Sequence, residues 1–295
     1  MEIRKAIIPI AGLGTRFLPL SKTTPKEFLP LVDKPAIQYI VEEARNSGIK
    51  EIIFVNRPDK KEIETYFTNY LARSPELEDV LRINGKTELL KELEDLDSLN
   101  KDISFSYVFQ NEALGDGHAV LQAKEMSQKE PCVVLFGDDI VDSEVPCSKQ
   151  LTEVYNKYQA PVIALYKLPE EKLSSYGIVK VEKVGERLYE ILGIEEKPAL
   201  GQAPSNLAVV GKYVINSDVF DFLENTPSQA KGEIRLAGAF NEMIKKGMTI
   251  YGYEFEGKWL ECGNKAAYFK SNLYLSLKHP QFKDELKKFL KEENL

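Results

Sequence analysis

Residues 6–10, Ala-Ile-Ile-Pro-Ile, form an unbroken apolar run that empties into Ala11-Gly-Leu-Gly-Thr-Arg. A run this short, closed by glycines, predicts a buried strand leading into a loop. Prolines 19, 25, 30 and 35 break up the next stretch, and Pro35 suits the first turn of a helix. Ile37, Ile40, Val41 and Ala44 then repeat at helical spacing until Gly48. Residues 51–55 predict a second strand. Asp59 with Glu62 reads as a capping box for a helix carrying Ile63, Tyr66, Phe67 and Tyr70. Residues 74–100 are charged and leucine-rich, helical over 88–99, and read as an insertion packed on the sheet. Ile103, Phe105, Tyr107 and Phe109 alternate along a strand with one buried face.

A second glycine loop, Gly115-Asp-Gly-His, precedes a helix over 119–126, and residues 132–136 form a strand ending in Gly137-Asp138-Asp139. A helix over 148–158 and a strand over 162–166 follow. Shorter strands over 178–181 and 189–194 lead to Glu195-Glu-Lys-Pro, and residues 207–215 form another strand. Ser217 caps a short helix, residues 233–246 form a helix closed by Gly247, and 249–255 a strand. Trp259-Leu-Glu-Cys-Gly opens onto a helix from Lys265, and Pro280 sets off a last charged helix ending near Glu293. Strands alternating with helices predict an α/β fold, a parallel or mixed sheet covered on both faces. Added hairpins in the C-terminal half make this one domain rather than two.

Composition narrows the partners. With 39 basic against 46 acidic residues the net charge is −7, so no overall field attracts nucleic acid and phosphate binding must be local. Cys132, Cys147 and Cys262 are too scattered for a disulfide framework or zinc knuckle. No apolar run reaches membrane-spanning length, and the N-terminus has no charged-then-apolar signal, which predicts a cytoplasmic protein without a membrane partner.

The candidate chemistry follows the strand ends, where open α/β sheets bind ligands. Gly12 and Gly14 let backbone approach a ligand, and Arg16 and Lys26 add fixed cations, a combination suited to a nucleoside triphosphate. Phe17 stands where a dinucleotide fingerprint needs its third glycine, and no Gly-Lys-Ser/Thr is present. Asp138-Asp139 is either a magnesium site or a turn cap. Glu261 is either its second carboxylate, from across a cleft, or a surface acid. Glu196 can bind sugar hydroxyls while Lys197 meets a phosphate. The Gln110 amide can read a base edge, with Gly115 or Gly117 admitting the base. His118, one of two histidines, reads as a structural residue at a helix start. Nothing supports a covalent intermediate.

Longer stretches carry a specific resemblance: Ala11-Gly-Leu-Gly-Thr-Arg-Phe-Leu-Pro, residues 24–39 from Thr-Pro-Lys-Glu to Gln-Tyr, Gly117-His-Ala-Val, Pro204-Ser-Asn-Leu-Ala-Val-Val-Gly-Lys-Tyr and Cys262-Gly-Asn-Lys-Ala-Ala-Tyr. The set resembles the sugar-1-phosphate nucleotidylyltransferases over nearly the whole chain, most closely their uridylyl-transferring members. The resemblance implies a Rossmann-like three-layer α/β/α fold with a mixed central sheet. Residues 1 to about 140 would be mainly nucleotide-binding, about 141–264 mainly sugar-phosphate-binding, and about 265–295 a helical tail. It implies UTP and glucose 1-phosphate as substrates, UDP-glucose and pyrophosphate as products, Mg²⁺ as cofactor, and a homodimer or homotetramer. Carried onto matching positions, Ala11, Gly12, Gly14, Thr15 and Arg16 hold the nucleotide with Lys26 beside them. Glu27, Gln110 and Gly115 lie near the base. Asp138 and Glu261 hold the metal. Asp139, Gly177, Glu196 and Val210 meet the sugar, and Lys197 its phosphate. Two departures stand out: Glu261 where the family usually has aspartate, and Arg235-Leu-Ala-Gly-Ala where it usually reads Gln-Leu-Thr-Asp-Ala. They leave a thymidylyltransferase and a non-catalytic, nucleotide-sugar-binding regulator as the competing readings.

Overall fold

In the computed structural model, which describes residues 2–67, 75–225 and 232–294, the first apolar run is strand β1 (Lys5–Pro9). A two-residue hairpin, β2 (Pro30–Leu31) and β3 (Lys34–Pro35), leads into α1 (Ala36–Asn46). Pro35 precedes α1 rather than occupying its first turn. Strands β4 (Glu51–Asn56) and β5 (Ser104–Phe109) extend the sheet in parallel beyond β1. Between them run α2 (Glu62–Tyr66), α3 (Pro75–Ile83) and α4 (Thr87–Asp102). The capping box does not form: the Asp59 carboxylate instead accepts from the Arg57 guanidinium at 3.0 and 2.8 Å. Tyr70 lies outside the described residues. Helix α3 carries Leu77, Val80 and Leu81 at helical spacing but has no buried residue.

The second glycine loop opens α5 (Asp116–Leu121), earlier than the predicted start, and α6 (Lys124–Ser127) continues after a break. Strands β6 (Cys132–Leu135) and β7 (Asp139–Asp142) precede α7 (Cys147–Tyr158), β8 (Val162–Lys167) and α8 (Glu170–Leu173). Strands β9 (Gly177–Lys183) and β10 (Leu188–Glu196) form a longer hairpin than expected, followed by β11 (Leu207–Ile215). Helix α9 (Ser217–Asn225) includes Ser217, and α10 begins at Leu236 (Leu236–Lys245), three residues later than predicted. The chain closes with β12 (Tyr251–Glu254), β13 (Lys258–Glu261), α11 (Lys265–Ser276) and α12 (Lys283–Glu292). Among the described residues, no helix is long and apolar enough to cross a membrane.

Nine strands form one mixed sheet in the order β5-β4-β1-β6-β11-β8-β12-β10-β9. Neighbouring residues of β1 serve opposite faces, as strand geometry requires. Ile8 belongs to the core cluster that includes Ile37, Phe54 and Leu151, and Ile7 to the one that includes Val120, Phe220 and Phe240. β5 lies at the edge, so Phe109 is 46% exposed despite the alternating pattern that suggested a buried face. Ile178 of β9 also pairs with Ala208 of β11, so the last strands curl back and close a small ring.

Two fully buried lysines show what holds the layers in register. Lys5 of β1 donates to the Glu130 carboxylate at 3.2 Å and to the carbonyl of Ser127 at 3.3 Å. Lys212 of β11 lies 2.7 Å from Glu43 of α1, whose other oxygen accepts the Ser148 backbone N–H at 3.0 Å. That bridge ties sheet, α1 and α7 together. Removing one partner of a buried pair strands the other charge, so Lys212→Met is expected to lose about 3–5 kcal/mol. Restoring neutrality with Glu43→Leu should recover most of that loss, read by chemical denaturation of the single and double variants.

Candidate active site

The loop after β1 is shaped by what its carbonyls bind. Lys60 Nζ donates to the carbonyls of Ile10 and Gly12 at 3.0 and 2.8 Å. With those oxygens engaged on one side, the following N–H groups turn to the other, the arrangement an anion needs. Gly14 then takes the left-handed conformation (φ 63°) that starts a single 3₁₀ turn, Thr15–Phe17. Phe17 packs edge-on against Tyr268, ring centroids 5.9 Å apart, and leaves Thr15 and Arg16 at the surface.

Lys26 reaches from this loop to the end of β6, where its Nζ lies 2.6 Å from Asp138 Oδ2. Burial pushes the Asp138 carboxyl up, but Lys26 and Arg16 outweigh it and hold Asp138 below the ordinary carboxylate range. Burial lowers Lys26 in turn, and Asp138, Glu27 and Asp139 together raise it well above a free lysine. Both groups are therefore charged at neutral pH.

Glu261 comes from outside the large sheet. β7 and β13 form a separate antiparallel ladder that sets Glu261 opposite Asp139. The Cys262 N–H donates to the Asp138 carbonyl at 2.7 Å and draws the two strand ends together. A side chain at Gly263 would fall 3.1 Å from Asp138 Oδ2, 3.5 Å from Arg16 Nη1 and 3.6 Å from Glu261 Oε1. Two carboxylates and a guanidinium thus face one gap that glycine leaves open. Hard oxygen donors of this kind suit a divalent cation such as Mg²⁺. Among the described residues, no group of three or more His, Cys, Asp or Glu could hold a metal. Glu261 is itself held: the Tyr176 hydroxyl donates to one oxygen at 2.5 Å and the Asn264 amide to the other at 3.0 Å.

Asp139 is bound on both oxygens, by Trp259 Nε1–H at 2.7 Å and the Gly211 N–H at 3.1 Å. Burial, then the neighbouring Asp138 charge, push its carboxyl up to about 7.

A cavity of about 600 Å³ opens here, lined among others by Arg16, Asp138, Tyr176, Gly177, Glu196 and Lys197. Glu196 and Lys197 do not arrive from a parallel strand end. Glu196 ends the antiparallel β10 and Lys197 follows it, and the curl that pairs β9 with β11 carries them in. Lys197 sits in the left-handed region at φ 51°, an uncommon conformation of the kind found at functional sites. Burial and Asp116 raise the Glu196 carboxyl, opposed by Arg235, which lies 3.7 Å away, and by Lys197. Val210 does not line the cavity: its side chain is fully buried in the core, while Val209 and Gly211 face the opening.

Beside the glycine loop, Gly12 and Lys26 line a smaller cavity of about 300 Å³ with Lys22, Arg57 and Lys60. Lys26 is the link between the two openings. Ala11, Glu27 and Gln110 are buried behind them, at 4%, 2% and 6% exposure. One Glu27 oxygen has no hydrogen bond, Lys60 lies 3.8 Å away, and burial raises this carboxyl. At Gly115 (φ 101°) and Gly117, protein atoms fill the space where a side chain would stand. A side chain at 115 would sit 2.5 Å from the Ile234 carbonyl, and one at 117 would sit 2.8 Å from the Arg235 carbonyl carbon. Both glycines allow α5 to press against the segment before α10.

Tyr176, Trp259, Asn264, Asp116 and Arg235 were missed as site residues. Asn264 left a trace, since Asn before a helix is a capping signal and its side chain accepts the Ala267 N–H. Asp116 accepts the Gly117 and Leu236 N–H groups at 2.6 and 3.0 Å, a pairing across more than a hundred residues that no local pattern reveals. Gly115→Ala combines backbone strain with a backbone clash and is expected to lose about 3 kcal/mol or more in thermal or chemical unfolding.

A sequence profile of nucleotidyl transferases matches residues 5–276. Over 292 residues the chain is 45% identical to the UTP–glucose-1-phosphate uridylyltransferase of Staphylococcus haemolyticus (strain JCSC1435), covering 99% of this chain and 98% of that protein. The UTP-bound UGPase from Acinetobacter baumannii superposes with a TM-score of 0.88 at 39% identity, over 98% of this chain and 99% of that one. A UDP-glucose pyrophosphorylase complexed with UDP-glucose gives 0.83 at 36% identity, over 94% and 100%. The chain belongs to the nucleotidyl transferase family.

Proposed function

We propose that this protein transfers the uridylyl group of UTP to glucose 1-phosphate, forming UDP-glucose and releasing pyrophosphate. One observation carries the reading. Lys26 joins a basic, glycine-lined opening to a cavity that holds Asp138, Glu261, Glu196 and Lys197. A triphosphate in the first and a sugar phosphate in the second would meet at that lysine. The near full-length identity to a uridylyltransferase supports the choice of substrates.

In this reading a phosphate oxygen of glucose 1-phosphate attacks the α-phosphorus of UTP in line, and pyrophosphate leaves opposite. The nucleophile is already ionised, so no general base is needed. The obstacle is an anion approaching an anion, and the protein's task is positioning and neutralisation. Gly12, Gly14 and Thr15 would present loop N–H groups to the phosphates, with Arg16 and Lys26 supplying charge. Lys197 would meet the sugar phosphate, and Gly177 and Glu196 the glucose ring. Asp139, whose two oxygens are already bound, would act by holding Gly211 and Trp259 in place as much as by touching sugar. Asp138 and Glu261 would hold magnesium, which when bound spreads phosphate charge and orients the reacting oxygens. We further propose a cytoplasmic protein, consistent with three free buried cysteines, acting as a homodimer or homotetramer.

Lys26→Ala is expected to lower kcat by roughly two or more orders of magnitude, the scale for losing one preorganised electrostatic contact. Pyrophosphate release from UTP and glucose 1-phosphate measures it, and a near-normal rate would sink the assignment. Lys197→Ala should act on the other substrate, raising KM for glucose 1-phosphate by at least about tenfold, the scale of a lost charge-assisted contact, with KM for UTP little changed. Stripping divalent ions with a chelator should abolish turnover, and added Mg²⁺ should restore it.

A further inference from the structure

His118 and Gln122 belong to no part of the transfer chemistry, yet they adjoin the one amide placed to read a base. Gln110 follows β5 directly, and Ala11 lies just beyond the end of β1, two strands away in a parallel ladder. Two strand spacings are about 10 Å, the width of a nucleobase with its contacts. Gln110 Nε2 donates to the Gly115 carbonyl at 3.0 Å and lies 2.9 Å from His118 Nδ1. A carbonyl can only accept, so the contact to Gly115 decides which end of the amide is nitrogen. The second amide hydrogen then points at His118 Nδ1. Gln122 sets its own amide nitrogen 3.2 Å from His118 Nε2, and a neutral imidazole has one lone pair for the two amides. Gln110, at 2.9 Å, makes the shorter contact and takes that lone pair, which leaves the imidazole proton on Nε2; Gln122 donates instead to the His118 carbonyl at 3.1 Å and only packs against the ring edge. Both hydrogens of the Gln110 amide are thereby spent inside the protein, and its oxygen remains as the one group free to meet a ligand.

We infer that His118 is a positioning residue for nucleobase selection: it locks Gln110 with its amide oxygen toward the base, so that the site accepts an N3–H donor and rejects cytosine. Uracil carries a hydrogen at N3. Cytosine carries a lone pair there, and two acceptors would face each other without a proton between them. Thymine presents the same N3–H as uracil, so the device separates UTP from CTP and leaves UTP and dTTP to other contacts. One hydrogen bond, to Gly115, would fix the sense of the amide but let its plane swing; the second, to His118, fixes the plane. The inference rests on the proposed reading that Gln110 faces the base.

The test compares kcat/KM for UTP, CTP and dTTP with glucose 1-phosphate in the native protein and in His118→Leu, His118→Asn, Gln122→Leu and Gln110→Leu. His118→Leu is expected to reduce the UTP:CTP preference at least about tenfold, the scale of one hydrogen bond to a buried group. The loss with UTP should fall on KM, and the UTP:dTTP ratio should stay within about twofold, a pattern that general damage to the helix would not produce. His118→Asn, whose amide oxygen can stand in for Nδ1, should restore most of the preference. Should His118→Leu fail to fold, Gln122→Leu is expected to show a smaller fall, of roughly threefold. If Gln110→Leu leaves UTP:CTP unchanged, Gln110 does not read the base and the underlying placement is wrong. If Gln110→Leu collapses the ratio while His118→Leu, or in its place Gln122→Leu, leaves it intact, the placement stands and the role of His118 is overturned.

Discussion

An ionised carboxylate in a half-closed cavity is costly unless a cation sits against it, and at the end of β6 that cation is Lys26. Their contact of 2.6 Å fixes more than a charge balance. It draws the proline-rich segment after the glycine loop onto the sheet and keeps Asp138 charged. It also places a permanent cation between the two openings of the site. The β7–β13 ladder and the Cys262 N–H bring Glu261 up to the same point from the other side. The site is thus an electrostatic knot tied between residues 16–26, 138–139 and 261–264. The large sheet underneath acts as the frame that keeps the three segments in reach.

The frame was largely legible because its signals are local. Strands β1, β4, β6, β8 and β11 are short apolar runs, and α1 and α7 carry an apolar stripe, so each declares itself within a few residues. What stayed hidden depends on residues far apart. β7 reads as a polar turn, and only its ladder with β13 makes it a strand. Glu196 and Lys197 were expected at the same edge as Asp138, but β10 runs antiparallel, and a curl of the sheet was needed to bring them there. Asp59 and Glu62 have the right spacing for a capping box, yet Arg57, two residues upstream, offers Asp59 a better partner than a backbone N–H.

Candidate site residues were legible by type more than by role. Gly115 stands in a glycine loop that suggests access for a base, and no local signal shows its second task, a close packing contact with Ile234. Val210 lies within a motif that faces the cavity, but strand alternation turns its side chain into the core and its neighbours outward. Glu261 looked like a departure that could weaken a metal site. Its extra methylene is matched by two hydrogen bonds, from Tyr176 and Asn264, that fix the longer side chain in one position. Where an aspartate is held by its own shortness, this glutamate is held by its neighbours.

The segment before α10 joins the two halves of the site. Ile234 donates its N–H to the Leu114 carbonyl at 2.7 Å and accepts the His118 N–H at 3.2 Å, so it braces the loop beneath Gln110. The very next residue, Arg235, lies 3.7 Å from Glu196, which lines the larger cavity. A peptide unit is rigid, so a displacement of Arg235 is felt at Ile234. A ligand that moved Arg235 through Glu196 would therefore be felt in the Gln110 loop. Linkage would make that effect reciprocal: a ligand at the loop would return it to Glu196 in equal measure, through a single dipeptide and without a moving domain.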